Sequence, residues 1–444
     1  LLWLGGAAKC VVPLAKCDLG QNRNGQDVST LLGQAMSATL QLVVTAAVVA
    51  IILGVTVGII SALRQYSGFD YTITFASFLF FSLPVFWVAV MLKQYGAIKL
   101  NNWLADPVIP PAVIVIVSLL AGLFWMAVIS GDRRRRLIAF LGGTAVTAGV
   151  LAYLSATRWF KEPGLGLGVI IVAAFGFAVL GTAVFAGFAR RRVLYAALIS
   201  AVAGVIAYFA TGPVLINPTW LHILVLFVIT FGICFAIGRL VGGPVDGAPA
   251  VKASLFTGLL TGAMIFFHHL LQAFDEYTVR VAGRPISTIG SATPNFSGNF
   301  WQTVLDKQLH LILPTTALIL ISFATYTRYT RASMLEVMGQ DYVRTARAKG
   351  LTERTVVLRH AFRNALIPVT TLMAFDFAGI VGGAVITERI FGWKGMGSLF
   401  NDALLIVDPN PVMAFFIVTG TAIVIFNMIA DIMYAYLDPR IRLS

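Results

Sequence analysis

Gln340 to Pro368 reads QDYVRTARAKGLTERTVVLRHAFRNALIP, and its reading decides the rest of the chain. Asp341, Arg344, Arg347, Lys349, Glu353, Arg354, Arg359 and Arg363 crowd this stretch, with Tyr342 and His360 among them, in a protein that is 58% hydrophobic and 11% charged. Long apolar runs lie on both sides. A charged segment between two apolar spans lies in water, and its excess of Arg and Lys places it on the cytoplasmic side. The residues predict two short helices with a break. Asp341 to Lys349 is helix-compatible throughout. Gly350 ends that helix, because glycine takes a left-handed cap without steric cost. Thr352 then caps a second helix with Glu353 in its first turn, and Pro368 marks the entry to the next span. Thr345, Ala346 and Ala348 are small and are flanked by Arg344, Arg347 and Lys349. A small-residue helix edged by cations suits a groove on a partner. An ordinary solvated loop obeying the positive-inside rule would carry the same charge.

Soluble domains carry about 25% charged residues, so a chain of this composition is a polytopic, all-α membrane protein. Its formal net charge of +13 does not indicate nucleic acid. The basic residues sit in short clusters between apolar runs, where membrane orientation explains them. Cys10 and Cys17 form a disulfide if the N-terminal segment is outside, or remain two thiols; spacing alone leaves both open. Leu1 to Leu14 is too short to span a bilayer, and we expect a first span upstream.

Ala38–Leu63 and Tyr71–Leu92 are the first long apolar runs. The second contains SLPVFW (82–87), where Pro84 should kink the span. Six further runs follow, near 111–130, 137–155, 166–188, 193–211, 221–238 and 252–271, with basic loops GDRRRR and ARRRV on alternate connections. A polar loop is expected over 273–307, then spans near 309–327, 364–387 and 412–436.

With these residues in view, the charged stretch resembles the coupling loop of ABC importer permeases. Arg344-Thr345-Ala346 stands where that family has Glu-Ala-Ala, and Gly350 stands at its glycine. The Glu and the terminal Pro of the general pattern are missing. RTARAKGL followed by RHAFRNALIP is the wording of the dipeptide/oligopeptide branch. SATLQL (37–42) and SLPVFW resemble the first half of such permeases; LILPTTAL (311–318), AVITERIFGWKGMG (384–397) and NMIADIMYAYLDPRIR (427–442) resemble the second. The resemblance implies a type I ABC importer permease core split by an inserted bundle of about six transmembrane helices. It divides the chain into an extracytoplasmic segment (1–36), core (37–105), insertion (106–277) and core (278–444) with the coupling loop at 338–363.

The resemblance further implies a bacterial inner-membrane permease for dipeptides or oligopeptides. It would act with a second permease chain, two cytoplasmic ATPase subunits docked on the loop, and an extracytoplasmic substrate-binding lipoprotein. The chain has no Walker phosphate loop, so it is not itself expected to be an enzyme; ATP and Mg²⁺ would belong to the ATPases. Other branches of the family carry nickel or glutathione.

Asp376 sits mid-span and is a candidate for the translocation path, because an ionisable group in a membrane is costly. A bond to a neighbouring helix is the plainer reading. Gly379, Gly382 and Gly383 suit close helix packing. Asn427 and Asp431 share a face of the last span, and Asp438 with Arg440 should cap it. Glu388, Arg389 and Trp393 lie in a loop read as extracytoplasmic, for gating or docking, or as an interfacial anchor. His222, His268 and His269 lack ligand-spaced companions for a metal and read as interfacial histidines. A proton-driven secondary transporter through Asp376 and Asp431 would have no need of a coupling loop. An intramembrane enzyme needs a nucleophile–base pair or a metal motif, which the sequence lacks.

Overall fold

The computed structural model describes residues 2–11, 17–129 and 131–437. Its N-terminal segment holds α1 (Leu2–Ala8) and a Cys10–Cys17 disulfide with a Cα–Cα distance of 4.2 Å. Trp3 Nε1 donates to the Leu19 carbonyl at 2.8 Å, folding the segment on itself. α2 (Val28–Leu63) starts at Asp27, whose carboxylate accepts the Thr30 N–H at 3.1 Å. α3 (Gly68–Ser82) begins at the Ser67 cap. After Pro84 come α4 (Val85–Met91), a π-helical stretch Leu92–Lys99 and α5 (Leu100–Leu104). Pro84 does more than kink this span: the helices on either side meet at 101°. With no N–H to donate and φ fixed, proline leaves the preceding helix no way to continue straight.

The middle of the chain, expected to be an insertion, supplies α6 (Pro111–Val128), α7 (Arg133–Ala156), α8 (Leu167–Phe185), α9 (Arg191–Leu215) and α10 (Trp220–Gln272). α10 is a helical hairpin. Gly243 (φ 61°, ψ −162°) reverses the chain, and the arms lie so close that a Cβ on Gly238 would stand 2.5 Å from Val251 Cα. The Gly/Pro-rich stretch between the two apolar runs is therefore helical up to its turn. The inserted helices form two groups. α6 and α7 pack on each other and α6 also on α3, while α8, α9 and α10 pack together and α10 reaches α12. Alanines carry the second group: Ala174, Ala178, Ala196, Ala197, Ala250 and Ala253 are fully buried. Small side chains let backbones approach, which drives helix association in lipid. Nothing on α7 is buried, so its apolar surface is left for lipid or a partner.

The second half of the core holds α11 (Phe274–Arg280), α12 (Phe300–Met338), α13 (Asp341–Ala348), α14 (Glu353–Thr355), α15 (Phe362–Gly383), α16 (Val385–Phe391), α17 (Met396–Leu405) and α18 (Pro409–Leu437). The polar loop expected over 273–307 is shorter than read. α11 occupies its start, and α12 begins at Phe300 behind a reciprocal Asn299–Gln302 cap, a device that satisfies two end N–H groups at once. α2 and α12 form the closest pair of the core. A Cβ at Gly54 would stand 2.5 Å from Tyr326 Cβ, and one at Gly58 2.8 Å from Thr330 Cβ. The N-terminal segment packs over the ends of α17 and α18: Asp408 accepts the Arg23 N–H at 2.7 Å, and Asn410 donates to the Gln21 carbonyl at 2.7 Å.

Candidate coupling and gating sites

α13 is one short amphipathic helix. Val343 and Ala346, three apart, are 0% and 5% exposed and pack on Val356. Asp341, Tyr342, Arg344, Thr345, Arg347, Ala348 and Lys349 all face outward. Ala346 is thus an anchor of the loop, a correction to its reading as part of the partner-facing surface. Gly350 adopts φ +76°, the left-handed cap its position called for, and donates to the Arg347 carbonyl at 2.9 Å. Arg347 then bridges the turn, with Nη2 2.7 Å from Glu353 Oε1 and Nε 3.1 Å from Oε2. That two-pronged hydrogen bond holds the Glu353 carboxyl below its usual range. Thr352 occupies the cap position, but its hydroxyl meets Thr355 Oγ1 at 2.9 Å instead of a helix N–H.

The second helix of the loop is not a separate short one. α14 runs through a π-helical turn, Val356–Ala361, directly into α15, and Pro368 lies inside α15 rather than at its entry. Arg359 and Arg363 are exposed, and His360 is half-buried. Asn364 Nδ2 donates to Tyr342 Oη at 2.8 Å, tying α13 to the start of α15.

Sequence reasoning missed the ion pair that seats this region. Arg331, near the end of α12, donates from Nε to Asp70 Oδ1 at 2.6 Å and from Nη2 to Oδ2 at 2.8 Å. Asp70 also accepts from Ser61 Oγ at 2.5 Å and the Tyr66 N–H at 3.1 Å, so it joins α2, α3 and α12. A lone Asp behind a serine cap was the available signal; its partner 261 residues away has no local signature.

Asp376 accepts from Tyr326 Oη at 2.8 Å, a bond from α12 to α15. The bond to a neighbouring helix named in the plainer reading is thus present, which leaves a role in the pathway open to test. Gly379 and Gly383 lie on α15. On α18, Asn427 is half-buried and Asp431 is exposed. Asp438 and Arg440 lie outside the described residues.

In and just after α16, Glu388 and Trp393 are 0% and 1% exposed. Thr39 Oγ1 donates to Glu388 Oε1 at 2.6 Å, and the Ser398 N–H donates to Oε2 at 3.0 Å. Burial pushes this carboxyl up, and the bonds from Thr39 and Ser398 pull against it. Trp393 donates to the Ala38 carbonyl at 3.0 Å within a cluster with Leu42 and Leu311. Both residues hold the loop to α2. Arg389 is exposed, and its Nη1 donates to Asn401 Oδ1 at 3.2 Å. The three histidines are structural: His222 completes the Thr219 cap of α10, His268 meets Tyr208 Oη at 3.1 Å, and His269 stacks on Trp301.

A family model described as binding-protein-dependent transport system inner membrane component matches residues 258–443, from the second arm of α10 onward. A peptide permease protein of Brucella ovis is 35% identical over 243 residues, 55% of this chain and 72% of that protein. The chain therefore belongs to the family of binding-protein-dependent transport system inner membrane components, and it is a multi-pass bacterial inner-membrane protein. An oligopeptide transport system permease protein of Mycobacterium tuberculosis is 45% identical over 155 residues, 35% of this chain and 48% of that protein. A dipeptide transport system permease protein of Escherichia coli is 43% identical over 145 residues, 33% of this chain and 42% of that protein. The chain thus spans about half the length of these last relatives.

Proposed function

We propose that this chain is one permease subunit of an ATP-driven importer for peptides. It would form the translocation pathway with a second, related permease, take substrate from an extracytoplasmic binding lipoprotein, and couple to two cytoplasmic ATPase subunits that carry ATP and Mg²⁺. The observation that carries the reading is the geometry of α13. Its Val343–Ala346 face is buried against Val356, and its Tyr342, Arg344 and Thr345 face is solvent-exposed. A helix held rigidly on one side and presented on the other transmits a push from a partner to α12 and α15 without deforming. The names of the relatives support peptides as the solute. The Asp376–Tyr326 pair would give the pathway a polar contact for a peptide amine or amide.

The test is uptake of labelled di- and oligopeptides by cells or proteoliposomes holding the complete transporter. Uptake that needs this chain, ATP and the binding lipoprotein supports the reading. Peptide-independent function of the complete complex, or uptake driven by a proton gradient without ATP, overturns it.

A further inference from the structure

Between α9 and the two arms of α10 lies a cavity of about 360 Å³. An apolar cavity of roughly 150 Å³ already stays dry and takes a benzene-sized guest, so this one accommodates an extended hydrocarbon. The polar groups in its wall make little demand on a ligand. Ser200 and Thr211 return their hydroxyls to the Ala196 and Ala207 carbonyls at 3.0 and 2.8 Å. The glycines of the wall differ in kind. A Cβ at Gly258 would collide with Cys234 Sγ, and one at Gly204 would reach Thr261 at 2.6 Å; at Gly262 it would meet nothing within 4 Å. Gly204 and Gly258 serve packing, whereas Gly262 opens the void.

The same helices carry an exposed basic cluster at their cytoplasmic ends: Arg191, Arg192, Arg239 and Lys252. Two of these converge on the hairpin turn. Arg192 Nη1 lies 3.3 Å from the Cβ position of Gly243, and Arg239 Nη1 lies 3.2 Å from that of Gly247. Arg190 is partly neutralised by Asp246 at 3.3 Å. At 1.5 Å per helical residue, the cavity wall at Cys234 begins roughly 8 Å above Arg239, and at Ser200 roughly 12 Å above Arg192. Cationic pockets between helices on this side of a membrane suit anionic lipid head groups.

We infer that this cavity takes an acyl chain of an anionic phospholipid whose head group is held by Arg191, Arg192, Arg239 and Lys252. A phospholipid is the occupant with an anion and a hydrocarbon joined at this separation, and the bilayer delivers it directly to the site. The site lies on inserted helices, so it is independent of the transported solute. It gives the insertion a role in fixing the α9–α10 group to its lipid surroundings.

Native mass spectrometry of the delipidated full chain, supplied with phosphatidylglycerol or phosphatidylcholine, reads the site. We expect selective retention of phosphatidylglycerol, lowered about fivefold for each of Arg192→Gln and Arg239→Gln, at the strength usual for a basic residue near a membrane surface. Gly262→Phe fills the void and should lower phosphatidylglycerol retention to the level of phosphatidylcholine. Gly176→Phe, an equal change at an exposed position of α8 with nothing within 4 Å of the new Cβ, should leave retention unchanged and reports on folding. Equal retention of both lipids, unchanged retention in folded Gly262→Phe, or displacement of the lipid by inorganic phosphate overturns the inference. The arginine variants decide it if Gly262→Phe does not fold.

Discussion

Asp70 and Arg331 form a two-pronged ion pair, with oxygen–nitrogen distances of 2.6 and 2.8 Å, that locks the first turn of α3 to the end of α12 directly before the coupling loop. Asp70 is 2% exposed, so deleting its partner leaves a buried carboxylate with no countercharge and only the bonds from Ser61 and Tyr66. Removing one member of such a pair costs about 3–5 kcal/mol. Arg331→Ala should therefore lower the thermal midpoint of the purified chain sharply. The Asp70→Asn/Arg331→Ala double variant should lose less than the two singles combined, because the partners act together. Strict additivity would mean that the pair is not coupled.

Ala346 and Thr345 should separate folding from coupling. Ala346→Glu places a charge against Val343 and Val356, a change large enough to unseat α13. Limited proteolysis should cut that variant at the loop. Thr345→Trp faces solvent and should leave the proteolysis pattern intact while reducing substrate-stimulated ATPase of the complete transporter by about tenfold, the effect of losing ~1.4 kcal/mol of contact. The reverse pattern would mean that the inner and outer faces of α13 have been misassigned.

The Arg347–Glu353 bridge gives the loop a small pH dependence. The carboxyl is lowered in the folded loop from its ordinary value of 4.5. Its stabilising contribution is therefore present above the ordinary value and is lost as pH falls through the folded value. Both partners are substantially exposed, with side-chain exposures of 40% and 58%, so the contribution is about 0.2–1 kcal/mol. Hydrogen exchange over 347–353 should be faster in Glu353→Gln than in the parent at neutral pH, and the two should converge in acid. A difference that persists below the carboxylate range would assign the effect to something other than this charge.

Thr39 and Glu388 predict how firmly α16 is held to α2. Thr39→Val removes the donor to a fully buried carboxylate and should destabilise by about 1–3 kcal/mol, the cost of an unsatisfied buried group. Thr39→Ser should be tolerated. Gly395→Ala should also destabilise, because its Cβ would collide with Glu388 Oε1 and Thr39 Oγ1. Thermal unfolding of the three variants checks this, and an unaffected Thr39→Val would show that Glu388 finds another partner.

Much of the fold was legible because apolar runs and basic loops obey the bilayer's length and charge rules. Within the coupling loop, the helix, the left-handed Gly350 and the position of Thr352 all followed from local chemistry. The inward face of Ala346 did not, although the Val343–Ala346 spacing carries it: small size was read as a partner-facing property when it served packing. The two arms of α10 were legible as the apolar runs 221–238 and 252–271, but their helical extension toward the turn was not, because Gly242, Gly243, Pro244 and Gly247 look like a loop, whereas the glycines let the arms touch. Asp70–Arg331 and Thr39–Glu388 join residues far apart in the chain, and no local pattern announces such pairs.

The account rests on α13 as the element that meets the ATPase. A photo-crosslinking residue placed at Thr345 in the complete transporter tests it most directly. The account predicts cross-links from position 345 to an ATPase subunit, and none from position 343, whose side chain is fully buried. Cross-links from 345 to lipid or to the permease alone, with uptake intact, would contradict it.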